Sequence, residues 1–216
     1  LFSFSSVDAK KFEAIIQSFS GALGVLDGGT TVVDSPVLDS GLIDENTSSE
    51  VLEMQNFQKL EETIQEYLNE NQLSESVTVL EEEAGLLLRF QDNILFDSGS
   101  ADLKPESLEI MSYIAQLLNA KDFEDKFISI EGHTDNVPMN SPRYPSNWEL
   151  SVGRSSNVVR FLVENNNMDP KRISASGYSE YHPVAPNDNA ENRAKNRRVD
   201  ILILKTIHYK DSSKNQ

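Results

Sequence analysis

The chain contains no cysteine, which excludes a disulfide framework and any thiolate-bound metal. Long hydrophobic runs are missing too: nothing approaches the ~20 consecutive apolar residues that a membrane-crossing helix needs. Basic residues are scarce in the first part of the 216-residue sequence. Residues 1–88 carry 17 acidic and 3 basic side chains (3 - 17 = -14), and residues 89–216 carry 18 and 16 (16 - 18 = -2), which together give the net charge of -16. An acidic segment of this kind repels a phosphate backbone, so nucleic acid is not expected as a partner. The three histidines, His133, His182 and His208, lack metal-ligand spacing. No serine stands in a nucleophile elbow and no glycine-rich loop could cradle a phosphate. The expectation is a protein that is not an enzyme, with no cofactor and no metal.

What remains is patterned in segments. A hydrophobic share of 38% is low for one globule of this length, which points to solvated linker or tail. Phe12, Ile15, Ile16, Phe19 and Leu23 fall on one stripe of an amphipathic helix, with Asp8 at its start and Gly24 at its end. Gly28-Gly29 and the Ser/Asp/Thr-rich stretch that follows cannot bury enough apolar surface to offset the entropy of ordering, so they read as linker. A helix cut off in this way needs another surface for its stripe, such as a membrane face or a partner. Phe57, Leu60, Ile64, Tyr67, Leu68 and Leu73 stripe a second helix over about 50–71.

From Val77 the period changes. Val77 to Leu80 and Leu86 to Phe90 read as a hairpin turning at Gly85, and Pro105 opens a helix that runs through Leu118. Phe127 to Glu131 reads as a buried strand, Trp148 to Val163 as a helix, Arg172 to Tyr178 as a strand, Ala190 to Lys195 as a helical turn and Val199 to Leu204 as the last strand. Strands alternating with helices behind a leading hairpin predict an α+β fold of two layers, a mixed sheet with helices on one face. The expected domains are 1–24 (end of a membrane segment and amphipathic helix), 25–49 (acidic linker), 50–76 (connecting helix), 77–206 (the α+β domain) and 207–216 (tail). The chain opens Leu1-Phe2-Ser3-Phe4, without a starting methionine or a basic leader, so a membrane anchor is expected to precede Leu1.

Three separated motifs carry the chemistry: Gly132-His133-Thr134-Asp135 at a strand end, Asn147-Trp148-Glu149-Leu150-Ser151-x-x-Arg154 opening a helix, and Asn196-Arg197-Arg198-Val199 before the last strand. They place an anion acceptor and a forked cation donor near one mouth, suited to a ligand carrying both charges. In this order, over roughly Val77 to Lys205, they resemble the OmpA-like peptidoglycan-binding domain. The resemblance implies that Asp135 and Arg154 hold the diaminopimelate of the wall's stem peptide, Asp135 taking the ammonium and Arg154 the carboxylate. It adds Leu150, Arg193 and Arg197 to the binding set, although Asn192 stands where the family has a glycine before the arginine. Asn147 is expected to cap the helix and to leave its amide for the ligand. Of Arg197 and Arg198, one is expected to brace the site loop and the other to face solvent. Asp135 and Arg154 are expected near the rim, so that alanine at either leaves the fold intact.

The loop from Asn136 to Ser146 departs from the commonest OmpA-like pattern. Its three prolines and its ending Tyr144-Pro145-Ser146-Asn147-Trp148-Glu149-Leu150-Ser151 look like the flagellar motor stator B subunits of the MotB/MotS family, and Tyr144 or Arg143 is expected beside the glycan. The opening stretch Leu1 to Phe12 is similar to the end of their membrane helix and the plug after it. The resemblance implies a non-catalytic anchor outside the membrane that fixes an ion-driven, torque-generating complex to peptidoglycan. Its implied partners are a MotA/MotP-like channel subunit and a second copy of the chain; the stripe at 50–71 reads either as core packing or as the surface that pairs the two copies. The alternative is a general OmpA-like cell-wall anchor unrelated to motility. A wall hydrolase using Glu131 and Asp135 as a carboxylate pair is a third reading.

Overall fold

In the computed structural model, residues 45–206 are described. The expected plug helix at 7–23, nearly all of the expected linker and the tail from 207 lie outside them. Among the described residues no helix is long and apolar enough to cross a membrane.

Helix α1 (Glu45–Glu70) starts five residues before its expected boundary at 50. Its stripe is buried within the chain: Phe57, Leu60, Ile64 and Leu68 join the same hydrophobic core as the sheet. Phe57 meets Phe123 edge-on with centroids 5.8 Å apart, and Tyr67 stacks on Tyr113 at 3.8 Å. Glu53 receives Lys126 Nζ at 2.7 Å and the Thr206 backbone N–H at 3.0 Å. Of the two readings of this stripe, core packing and pairing of two copies, the structure shows the first. An amphipathic pattern shows that a face must be covered and leaves open by what. Ile64 is fully buried, so Ile64→Ala is expected to cost roughly 2–5 kcal/mol, read as a lower urea midpoint. An unchanged midpoint would mean that α1 is not part of the cooperative unit.

Five strands form one sheet in the order β1-β2-β5-β3-β4. The hairpin β1 (Val77–Glu82) and β2 (Gly85–Gln91) is antiparallel, and β5 (Arg198–Leu204) pairs antiparallel with both β2 and β3 (Ile128–His133). Strand β4 (Ile173–Gly177) lies parallel to β3 at the edge. Strand alternation sends Leu86, Leu88, Phe90, Ile128, Ile130, Val199, Ile201 and Ile203 into the core beneath the helices. Against them pack α3 (Ser107–Leu118), through Ile110, Met111, Ile114 and Leu118, and α4 (Asn147–Asn166), through Val158 and Leu162. Two short helices complete the fold, α2 (Asp92–Leu95) just after β2 and α5 (Ala190–Asn196) just before β5.

Two details differ from the sequence reading and bear on the site. Strand β3 continues past Glu131 through Gly132 and His133, because these two keep their pairing with Val199 and Arg198. Helix α4 is capped by Ser146, whose hydroxyl accepts from the Trp148 N–H at 3.1 Å. Asn147 is therefore the first helical residue and not the cap.

Candidate functional site

At one end of the sheet, β2 stops, β3 stops and β5 begins, and α4 starts across from them. Each element delivers one charged side chain to a cleft of about 460 Å3. Asp92 follows β2, Asp135 lies two residues beyond β3, Arg197 immediately precedes β5, and Arg154 sits two turns into α4. They alternate in sign. Asp135 Oδ2 accepts from Arg197 Nη1 at 2.6 Å, and its Oδ1 accepts from the Val137 N–H at 3.0 Å. Arg197 Nε stands 3.5 Å from Asp92 Oδ1, and Arg154 Nη2 stands 3.2 Å from Asp92 Oδ2. Arg154 Nε donates to the Ser100 carbonyl at 3.0 Å, and the guanidinium lies 5.1 Å from the centroid of the Phe96 ring.

Arg154 is 1% exposed and Asp135 5%, which corrects the expected place of both at the rim. Its Nη1 is buried without a hydrogen-bond partner among the described residues, an arrangement that costs free energy until an acceptor arrives. Burial lowers the Arg154 pKa, and the Asp92 charge opposes this. At Arg197 burial also works against the charge, but the hydrogen bond to Asp135 and the charge of Asp92 outweigh it and hold the pKa above the ordinary guanidinium value. The cleft thus offers a desolvated fork for a carboxylate and, at Asp135, a carboxylate for a cation.

Of the residues singled out from the sequence, Asp135, Asn147, Leu150, Arg154 and Arg197 line this cleft. Arg193 does not; on α5 it donates to the Asn187 carbonyl at 3.2 Å. The Asn147 amide is not left for a ligand: Nδ2 donates to the carbonyls of Asp135 and Val137 and to Glu180 Oε2, and Oδ1 accepts from the Met139 N–H. Asn147 thus ties the loop to α4. Arg198 does not face solvent. It is buried on Asp200 at 2.9 Å and donates to the His182 carbonyl at 3.1 Å. Tyr144 is buried in a small cluster with Ala101 and Leu150, and Arg143 forms a two-pronged pair with Asp102 at 2.5 and 2.7 Å. These two fasten the long loop to the segment after α2. Asp92 and Phe96 were missed, because nothing in their spacing ties them to motifs so distant in the chain. Their only signal is an acid directly after the apolar β2 run. Among the described residues no three His, Cys, Asp or Glu side chains gather as a metal site.

The opposite face of the sheet carries a second polar group. His133 is buried there, with Nε2 3.8 Å from Glu131 and 3.9 Å from Asp200, beyond hydrogen-bond reach. Burial lowers its pKa, outweighing the pull of Glu131 and Asp200. A histidine whose folded pKa is depressed contributes stability that is complete above its ordinary value of 6.5 and is lost as pH falls toward the folded value. The melting temperature is therefore expected to drop as pH falls below 6.5, with a smaller drop in His133→Asn. Parallel melting curves for the two proteins would contradict this.

A mixed sheet under helices, with the charged cleft at one sheet end, defines a class of domain that comparison with known proteins identifies: residues 95–197 match the OmpA family. The likeness extends beyond that domain. Motility protein B of Bacillus subtilis (strain 168) is 35% identical over 94% of this chain and 83% of its own length. The chain belongs to the motility protein B family. Among solved structures, a putative MotB-like protein from Desulfovibrio vulgaris superposes with a TM-score of 0.62 at 29% identity, covering 70% of this chain and 90% of that one. The cell wall anchor of the T6SS from Pseudomonas aeruginosa does so with a TM-score of 0.58 at 33% identity, covering 65% and 96%.

Proposed function

We propose that this chain anchors the flagellar motor stator to peptidoglycan, and that its cleft grips the free amino-acid end of diaminopimelate. The observation that carries the reading is the buried Nη1 of Arg154, without a partner among the described residues, in a cleft shared with Asp135. A carboxylate entering there supplies the missing acceptor, and an ammonium on the same carbon falls to Asp135 beside Arg197. Arg197 and Asp92 hold the two in place. The region works on the extracytoplasmic, cell-wall side of a membrane complex with a channel-forming partner. Any pairing with a second copy runs through surfaces other than the α1 stripe. Similarity to motility protein B over 94% of the chain, well beyond the OmpA-family region, supports a stator subunit over a general wall anchor.

The role is non-catalytic. Asp135 is occupied by Arg197, and strand alternation puts Glu131 with His133 on the other side of the sheet from the Gly132 position that meets α4. The two carboxylates therefore do not flank one substrate. As a test, the protein should sediment with isolated peptidoglycan and be displaced by free diaminopimelate. Asp135→Asn should weaken sedimentation about tenfold or more, since a charge-assisted contact is worth roughly 1.5–3 kcal/mol. Undiminished sedimentation of Asp135→Asn, or indifference to free diaminopimelate, would overturn the assignment.

A further inference from the structure

Beside the charged cleft lies a second hollow, of about 180 Å3, that none of the roles above uses. The two share Pro138, Met139 and Asn147, and the outer wall of the second includes Trp148, Glu180 and Tyr181. Trp148, the only tryptophan in the chain, sits on the first turn of α4, and Tyr181 sits in the loop after β4. Their rings stack with centroids 5.4 Å apart and planes at 27°. Even so, 48% of Trp148 and 64% of Tyr181 stays exposed. Two large rings braced against each other and open to water mark a contact surface rather than core.

The chemistry around the rings narrows the occupant. Glu180 is held in place by the Asn147 amide, which donates to its Oε2 at 3.1 Å, while its Oε1 accepts no hydrogen bond among the described residues. A carboxylate at the foot of the platform disfavours a phosphate or another acid and suits hydroxyl and amide donors. The negative π-faces of the rings suit the polarised C–H face of a sugar. The hollow is too small for a helix or strand and of a size for one ring. Asn147 bridges the two hollows, since the same Nδ2 also donates to the Asp135 carbonyl.

We propose that Trp148 and Tyr181 form a subsite for an N-acetylated hexopyranose of the wall glycan, next to the cleft that takes the stem peptide. This inference rests on the peptidoglycan reading and extends it from the peptide to the sugar. A stem peptide is covalently tied to its glycan, so holding both restricts the bound wall more than either contact does alone.

The test uses the 216-residue chain and two separate probes: the neutral tetrasaccharide of N-acetylglucosamine, and free diaminopimelate. The tetrasaccharide should shift the emission of Trp148. Tyr181→Ala, a change at an exposed loop residue, should weaken tetrasaccharide binding roughly five- to tenfold by calorimetry and leave diaminopimelate binding unchanged. Trp148→Ala should do the same. The proposal is overturned if diaminopimelate binds while the tetrasaccharide gives neither heat nor an emission shift at millimolar concentration. It is equally overturned if the tetrasaccharide binds Tyr181→Ala as well as it binds the parent. Tyr181-dependent tetrasaccharide binding without diaminopimelate binding would instead remove the peptide assignment and leave the sugar subsite standing.

Discussion

Arg154→Ala is expected to abolish sedimentation with peptidoglycan and also to destabilise the fold by roughly 3–5 kcal/mol, the cost of breaking a buried ion pair from one side. The two losses have different origins. Binding goes with Nη1, the donor that has no partner among the described residues. Stability goes with the rest of the guanidinium. Removing it strips the Ser100 carbonyl of its donor and leaves the buried Asp92 carboxylate, among the described residues, with Arg197 Nε at 3.5 Å. It also opens a void over the Phe96 ring, where the guanidinium now lies. Arg154→Met separates the two effects. Methionine refills much of the volume, so part of the stability should return while binding stays lost. Urea titration and wall sedimentation of both variants check this. An Arg154→Ala protein within ~1 kcal/mol of the parent would show that Asp92 finds another partner. Wall binding by Arg154→Met would show that the fork is not what the ligand uses.

How much of this was legible in the sequence differs from residue to residue. The hairpin, the last strand and α3 follow from apolar period alone, since Leu86, Leu88 and Phe90, or Ile110, Ile114 and Leu118, can each face inward on only one type of element. That Asp135 and Arg154 line one cleft was readable because one follows a strand and the other lies two turns into the next helix, which packs back on that strand. The burial of Arg154 was not readable, because arginine is rarely buried without a partner and its partner, Asp92, comes from a strand end far earlier in the chain. The same holds for the stripe of α1, covered by Phe123 and the sheet, and for Arg198, which also donates to the His182 carbonyl in the loop after β4. Local pattern fixes which face an element buries. It does not say which neighbour the topology supplies.

The largest effect on the fold is expected from the smallest change, Gly132→Ala. Gly132 lies on β3 between Val199 of β5 and Gly177 of β4, where α4 crosses the sheet. A Cβ built there falls 2.0 Å from the Ser151 carbonyl oxygen and 2.8 Å from its carbon. Both are backbone atoms of α4, so no rotamer relieves the clash and the helix itself must retreat. Gly177 repeats the constraint, its Cβ falling 2.6 Å from the Val152 nitrogen. Overpacking a well-filled core costs roughly 1–3 kcal/mol and more where the backbone has to move. Gly132→Ala should therefore lose at least about 3 kcal/mol or fail to fold. Ser151 stands between Asn147 and Arg154 on the same helix, so any retreat also draws both away from Asp135. Whatever folded protein remains should bind peptidoglycan weakly. Gly153→Ala is the matched control on α4. Its Cβ meets only side chains, Tyr144 at 3.1 Å and Ala101 at 3.4 Å, and alanine is the better helix former by about 1 kcal/mol. Its net change should stay under ~1 kcal/mol, with wall binding intact. Thermal unfolding of the pair decides the matter. Similar small shifts in both would mean that α4 slides freely on the sheet, and that the cleft is not held by the glycine contact.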